Sequence, residues 1–351
     1  MSWEDKVRKV VPYTPGEQPN KPNMIKLNTN ECPYPPAPGV RRILDEFDTD
    51  SLRLYPDPAA TVLVDALADY YGLQSSEVFV GVGSDDVLAM IFMTFFNGKA
   101  PILFPDITYS FYDVWADLLK IPYQTMPLDD VFHIKKEDYI GTENGGIIFP
   151  NPNAPTGVLV ETDFIEEIVL ANPDVIVVID EAYIDFGGKS ALPLIHKYDN
   201  LLVVQTFSKS RAMAGMRIGY AMGNEKLIKY LNDVKFSFNS YTMNRATLAL
   251  GVEAVRDDAY FKEIVGRIVA TRERVKKELH ELGFEFQDSM SNFIFATHPK
   301  YDATKLFEDL RDNDIYVRHF NGARVRDYLR ITIGTDEEMD TLLAFLRNYI
   351  K

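Results

Sequence analysis

The sequence predicts an α/β fold: a large domain on a mostly parallel sheet, a smaller α+β domain behind it, and an extended arm in front. Three observations predict it. Short β-rich runs alternate with helical stretches from Val78 to Thr206. The run VIVVI at Val175–Ile179 is apolar at every position, as strands covered by helices on both faces are. The alternation then stops near Asn239, where a long helical pattern begins. A chain of 351 residues, at roughly 100 to 200 per domain, fits two such domains.

The first forty residues carry Pro12, Pro15, Pro19, Pro22, Pro33, Pro35, Pro36 and Pro38, which disfavour helix and predict an arm lying on something else. Val78–Val82 reads as a strand leading into a helix near Asp85–Phe96, and Ile102–Phe104 as one leading into a helix over Tyr109–Leu119. Strands follow at Ile147–Phe149, Val175–Ile179 and Leu201–Thr206. Beyond Asn239 the pattern predicts helix as far as Leu282, then strands near Asn292–Ala296, Tyr316–Arg318 and Leu329–Ile333. Thr335 and Glu338 form a T-x-x-E capping box ahead of Leu342, Leu343 and Leu346, which starts the last helix.

Composition excludes several functions. Fifty-two acidic against 37 basic side chains give a net charge of −15, which repels nucleic acid and anionic membranes. The single cysteine, Cys32, permits no internal disulfide, and without a close Cys/His cluster no metal site is expected. The N-terminus, MSWEDKVRKVVPY, lacks the apolar core of a signal peptide, and the apolar stretch Val87–Phe96 is half a membrane span. The expectation is a cytoplasmic protein.

Chemistry concentrates where predicted strands end. In TFSKSRAMAGMRIG, residues 206–219, Lys209 leaves a buried strand at the edge where open α/β sheets bind ligands. A lysine there is a nucleophile toward carbonyl compounds, and Ser208 and Arg217 suit a phosphate dianion. Alone, a lysine after a serine is most often solvated surface. The strand VIVVIDEAY, however, brings Asp180 and Tyr183 to the same edge, although an acid ending a strand is usually only a cap. GVGSDD, residues 81–86, opens a helix at Ser84 and so offers a phosphate site; Asp86 stands where a dinucleotide fingerprint needs glycine. Tyr109 can stack on an aromatic ring or serve as packing. NPNAPTG, residues 151–157, is a proline-fixed turn from which Asn153 or Asn151 can reach a ligand. Near the C-terminus Arg318, Arg324, Arg326 and Arg330 stand against one acid, Asp327, and offer an anion handle; solvated strand edges account equally well for Arg324 and Arg326.

In order along nearly the whole chain, LNTNECPYPP, LYPDP, GVGSDD, NPNAPTG, VVIDEAYIDF, TFSKSRAMAGMRIG and YLRITIG resemble the fold-type I aminotransferases, which depend on pyridoxal 5'-phosphate (PLP). Within that family, the short length, the PY of the arm, LYPDP and LRITIGT are most similar to the histidinol-phosphate aminotransferases. The resemblance implies a seven-stranded, mostly parallel sheet. It also implies a division into an arm with part of the small domain (1–44), a large PLP-binding domain (45–240) and a small C-terminal α+β domain (241–351). It makes Lys209 the Schiff-base lysine and proton carrier, Asp180 the partner of the pyridine nitrogen, and Tyr183 the partner of the phenolic oxygen. Ser84, Asp85, Thr206, Ser208 and Arg217 hold or border the cofactor phosphate in this scheme, with Tyr109 over the ring. Tyr13, Arg318 and Arg330 bind substrate, and Tyr55 crosses a homodimer interface into the partner's site. The family often has asparagine before Pro-Thr-Gly where this chain has Ala154, so either Asn153 takes its place from one residue away or Tyr183 acts alone. The implied substrates are histidinol phosphate and 2-oxoglutarate or glutamate. An aromatic amino-acid aminotransferase, a threonine-phosphate decarboxylase and, from another class, a non-catalytic nucleotide-binding module remain alternatives.

Overall fold

Successive residues of the central strands face two different cores. On β5 (Ile147–Pro150), Ile147 and Phe149 point to one face and Ile148 to the other; on β6 (Val177–Asp180), Val177 and Ile179 oppose Val178; on β7 (Leu201–Thr206), Leu201 and Val203 oppose Leu202 and Val204. Alternating side chains that are all apolar can only be buried if helices cover both faces of the sheet. The computed structural model, which describes residues 2–350, shows that arrangement.

Ahead of these strands come β1 (Ile25–Lys26), α1 (Pro38–Asp45), α2 (Thr61–Tyr71), β2 (Val78–Gly81), α3 (Ser84–Phe95), β3 (Ile102–Pro105), α4 (Tyr112–Leu119) and β4 (Tyr123–Met126). α5 (Thr162–Ala171) joins β5 to β6, and β8 (Gly219–Gly223) and α6 (Glu225–Phe238) follow β7. The seven strands run in the order β2-β8-β7-β6-β5-β3-β4. All are parallel except β8, which pairs antiparallel with both β2 and β7. The predicted seven-stranded, mostly parallel sheet is therefore present. Its parallel strands put the segments after Gly81, Pro105, Pro150, Asp180 and Thr206 at one edge, which is the chemical edge of the molecule.

The helical pattern predicted as far as Leu282 is two helices, α7 (Arg245–Arg256) and α8 (Asp258–Glu281). Asn244 caps the first through its side chain, which accepts from the Thr247 amide, and Asp257 caps the second in the same way from Tyr260. The division at 240/241 puts α7 in the small domain, yet α7 packs on α2, and Leu248, Val252 and Val255 join the large-domain core. The change of core falls along α8 instead. Tyr260 lies against the first core, while Ile268, Val275 and Leu279 belong to the second. Arg272 ties the two parts, donating to the carbonyls of Phe186 at 2.7 Å and Ser291 at 2.9 Å.

The second core is closed by β9 (Glu285–Phe286), β10 (Phe293–Thr297), α9 (Ala303–Asp312), β11 (Ile315–Tyr316), β12 (Arg318–His319), β13 (Tyr328–Thr332) and α10 (Asp336–Tyr349). α10 starts at the predicted capping box, with Thr335 and Glu338 each bonding the other's backbone amide. The arm joins this domain, since β1 pairs parallel with β11 and Leu27 is buried in the second core. Among the described residues, no helix is long and apolar enough to cross a membrane.

Candidate active site

Two adjoining cavities open at the carboxyl edge of the large sheet. The first, about 360 Å³, is lined by Ser84, Asp85, Tyr109, Asp180, Tyr183, Thr206, Ser208, Lys209 and Arg217, nine residues that the sequence placed around a cofactor. The second, about 290 Å³, shares Asp85, Tyr109, Tyr183 and Lys209 and adds Tyr13, Arg318 and Arg330.

The floor of the first cavity is made by strand exits. Asp180 ends β6, is 4% exposed, and accepts from Tyr112 Oη at 3.0 Å and from the Ala182 amide at 3.2 Å. Burial pushes its carboxyl up to about 6, and these two hydrogen bonds pull against that rise. Lys209, just past β7, donates to the carbonyl of Thr29 at 3.2 Å and lies 5.7 Å from the Tyr183 ring centroid. Thr206 Oγ1 donates to Ser208 Oγ at 3.1 Å, and Arg217 reaches Ser208 Oγ at 3.4 Å and Asp85 Oδ2 at 3.0 Å. Tyr109 donates to the other Asp85 oxygen at 2.6 Å; burial, then Asp85, holds its phenol far above the usual range.

A phosphate cradle follows from two glycines. Gly83, at φ +86°, precedes Ser84 at the start of α3 and brings no side chain to cap the helix, so its N-terminal amides remain for a ligand. A Cβ on Gly83 would meet the Arg217 guanidinium at 2.4 Å, and one on Gly219 would meet the Ser84 nitrogen at 2.2 Å. Only glycine lets the α3 N-terminus and Arg217 converge this closely. Asp86 completes the turn by accepting from the Val82 amide at 2.9 Å. An anion cradle, a carboxylate on the floor, an aromatic ring and a lysine within one cavity of this size fit PLP.

The second cavity differs in charge. Arg318 and Arg330 are direct cross-strand partners on β12 and β13, both half-buried. Among the described residues neither makes an ion pair. Arg330 donates to the Asn28 carbonyl at 3.0 Å, while its Nε is buried without a hydrogen-bond partner. Burial first, and then Arg318, lowers its guanidinium below the usual range. Two like charges facing each other are unfavourable unless an anion joins them.

Asn153, Asn151, Arg324 and Tyr109 stand otherwise than the sequence suggested. Asn153 lines neither cavity: it donates to the Ile107 carbonyl at 3.0 Å and Thr156 Oγ1 at 3.1 Å, and accepts from Thr108. Asn151 is consumed likewise by the Val160 backbone, and Ala154 is the turn residue that faces the site. Tyr55 lies outside the cavities of its own chain, 78% exposed and against Tyr241. Arg324 holds Asp106 and the carbonyls of Leu128 and Asp129, so it clamps the two domains together. Tyr109 precedes α4, which starts at Tyr112. Sequence reasoning missed Tyr112, Thr29, Glu31 and Asn30; the only sign of Tyr112 was its place three residues after Tyr109.

The family model for aminotransferase class I and II matches residues 22–346. The histidinol-phosphate aminotransferase of Lactococcus lactis subsp. cremoris is 52% identical over 100% of this chain and 98% of its own length. That of Brachyspira hyodysenteriae is 51% identical over 99% of this chain and 98% of its own. The solved histidinol-phosphate aminotransferase of Sinorhizobium meliloti, in complex with pyridoxal-5'-phosphate, superposes with a TM-score of 0.84 at 26% identity, covering 93% of this chain and 90% of that one. With its lysine, carboxylate and anion cradle at one sheet edge, the chain belongs to the class I and II aminotransferases, among the histidinol-phosphate aminotransferases of that family.

Proposed function

We propose that the chain transfers the amino group of L-histidinol phosphate to 2-oxoglutarate, giving imidazole acetol phosphate and glutamate, a step of histidine biosynthesis. PLP, when bound, supplies the aldehyde that takes up the amino group and a ring that accepts the electrons released at the substrate's α-carbon. Lys209 would hold the cofactor and is placed to carry a proton to and from the substrate's α-carbon. Asp180 holds the proton of the ring nitrogen in place, and Tyr183 donates to the phenolic oxygen. Ser84, Thr206, Ser208, Arg217 and the α3 N-terminus would hold the phosphate, and Tyr109 would pack against the ring. The carrying observation is the Arg318–Arg330 pair, which has no carboxylate partner among the described residues and shares a cavity with Lys209. It suits the phosphate of one substrate and a carboxylate of the other.

The same reading makes the protein a cytoplasmic homodimer in which Tyr55 serves the partner's site. In support, Tyr55 is exposed and stands against exposed Tyr241, and Leu52 and Leu54 just before it in the chain are exposed as well. Arg245 fixes its loop by donating to the carbonyls of Leu54 at 3.2 Å and Tyr55 at 2.8 Å. Exposed aromatic and aliphatic side chains grouped in this way mark an interaction site.

The test offers histidinol phosphate, phenylalanine and threonine phosphate as amino donors, with carbon dioxide release followed in parallel. Turnover is expected with histidinol phosphate and 2-oxoglutarate. Turnover of phenylalanine alone, or carbon dioxide from threonine phosphate, contradicts the assignment.

A further inference from the structure

We infer that Asn30 is a positioning residue: its side-chain amide turns the hydroxyl proton of Tyr183 into the cavity, toward the phenolic oxygen of the cofactor. The inference deepens the transaminase reading and rests on it.

The argument counts protons. Thr332 Oγ1 accepts from the Asn30 backbone amide at 3.1 Å, so its single proton goes to Asn30 Oδ1, also at 3.1 Å. That bond fixes Oδ1 as acceptor and therefore Nδ2 as donor, because only one orientation of the amide satisfies Thr332. Nδ2 then donates to Tyr183 Oη at 2.9 Å. A phenol that accepts from Asn30 keeps its one proton free to give onward.

The surroundings decide where that proton goes. Tyr183 is 8% exposed, its ring pinned edge-on by Phe293 at 5.1 Å, and it lines both cavities. Asn30 itself is 1% exposed and held on three sides. Its backbone sits in the left-handed region at φ +57°, a conformation asparagine tolerates, and its carbonyl accepts from Asn292 Nδ2 at 3.0 Å. The adjacent residue, Thr29, gives its carbonyl to Lys209, so one turn of the arm orders both the lysine and the phenol. In the same cavity Ala154 has no side-chain donor, and the Asn153 amide is spent on the Ile107 carbonyl and Thr156. Tyr183 therefore acts without help from that turn, and its orientation depends on Asn30.

Hydrogen-bond donation stabilises the anionic phenolic oxygen, so it lowers the pH midpoint of the visible absorbance change of the PLP-loaded protein. Asn30→Ala is expected to raise that midpoint by roughly half a unit to one unit, and Tyr183→Phe by at least as much. In the Tyr183→Phe background Asn30→Ala should add nothing, since the residue acts through the phenol. Asn30→Asp is nearly the same size but presents only acceptors, so it draws the Tyr183 proton to itself and should give the full Tyr183→Phe shift. This variant keeps the test decisive if Asn30→Ala does not fold. An Asn30→Asp midpoint equal to wild type, or equal shifts with and without Tyr183, overturns the inference. A wild-type chain that takes up no chromophore contradicts the PLP reading instead.

Discussion

The two cavities share walls but are built on opposite electrostatic plans. In the cofactor cavity charges are answered within the chain: Arg217 by Asp85, Asp85 by Tyr109, and Asp180 by Tyr112. In the adjoining cavity Arg318 and Arg330 face each other with no carboxylate partner among the described residues, and one guanidinium nitrogen is buried and unpaired. The first is a site shaped in advance, with the α3 N-terminal amides left open for a phosphate. The second is completed by the ligand. Two facing guanidinium groups, one with a buried unpaired nitrogen, destabilise the free protein, and that cost becomes selectivity when an anion of matching shape arrives.

The largest expected effect breaks the second plan. Arg330→Leu removes a charge-assisted contact to substrate and should lower kcat/KM for histidinol phosphate on the order of 10²-fold, with cofactor affinity unchanged. Steady-state kinetics beside a PLP titration check both halves. The folded chain should be little destabilised, because the variant loses the bond to the Asn28 carbonyl but also removes a guanidinium nitrogen that is buried without a partner.

Next comes the floor of the first cavity. Burial holds Asp180 near about 6 in the cofactor-free chain, while a bound pyridinium favours its ionised form. PLP affinity should therefore fall as pH drops through about 6, by up to about tenfold per pH unit. In Asp180→Asn, binding is weaker and that dependence is gone; titrations at several pH values distinguish the two.

Glu181, the neighbour of Asp180, sharpens the contrast between buried and ligand-ready acids. It is 1% exposed, accepts from Ser190, Ala191 and Gln205, and burial lifts its carboxyl from the ordinary 4.5 to about 7. Its contribution to stability is complete below the unfolded value and is lost as pH rises through about 7, at roughly 1.4 kcal/mol per unit. Glu181→Gln should flatten that decline in denaturant unfolding between these limits. The smallest effect is Arg217→Leu, which leaves Asp85 without its ion pair and should cost the cofactor-free chain under about 1 kcal/mol, since both partners are partly exposed.

Much of this was readable before any coordinates. The strands leading to Lys209 and Asp180 announced themselves because doubly covered strands must be apolar at every position, and the α10 cap because its residues are three apart. Pairings across the chain were not readable. Asn30 and Thr332 lie 302 positions apart, and nothing local to LNTNE shows that its second asparagine meets Tyr183. Asn153 misled for the opposite reason: a polar residue in a tight turn serves the turn's own backbone first. The break between α7 and α8 lay in a single Asp257, whose capping role the apolar periodicity on either side obscured.

The central claim is that Lys209 carries the cofactor. Its direct measurement is to incubate the purified protein with PLP, reduce with borohydride and map the labelled peptide. The account predicts one labelled site, in the peptide containing Lys209, and no label there in Lys209→Ala. Label on another lysine, or none in the wild-type chain, would contradict it.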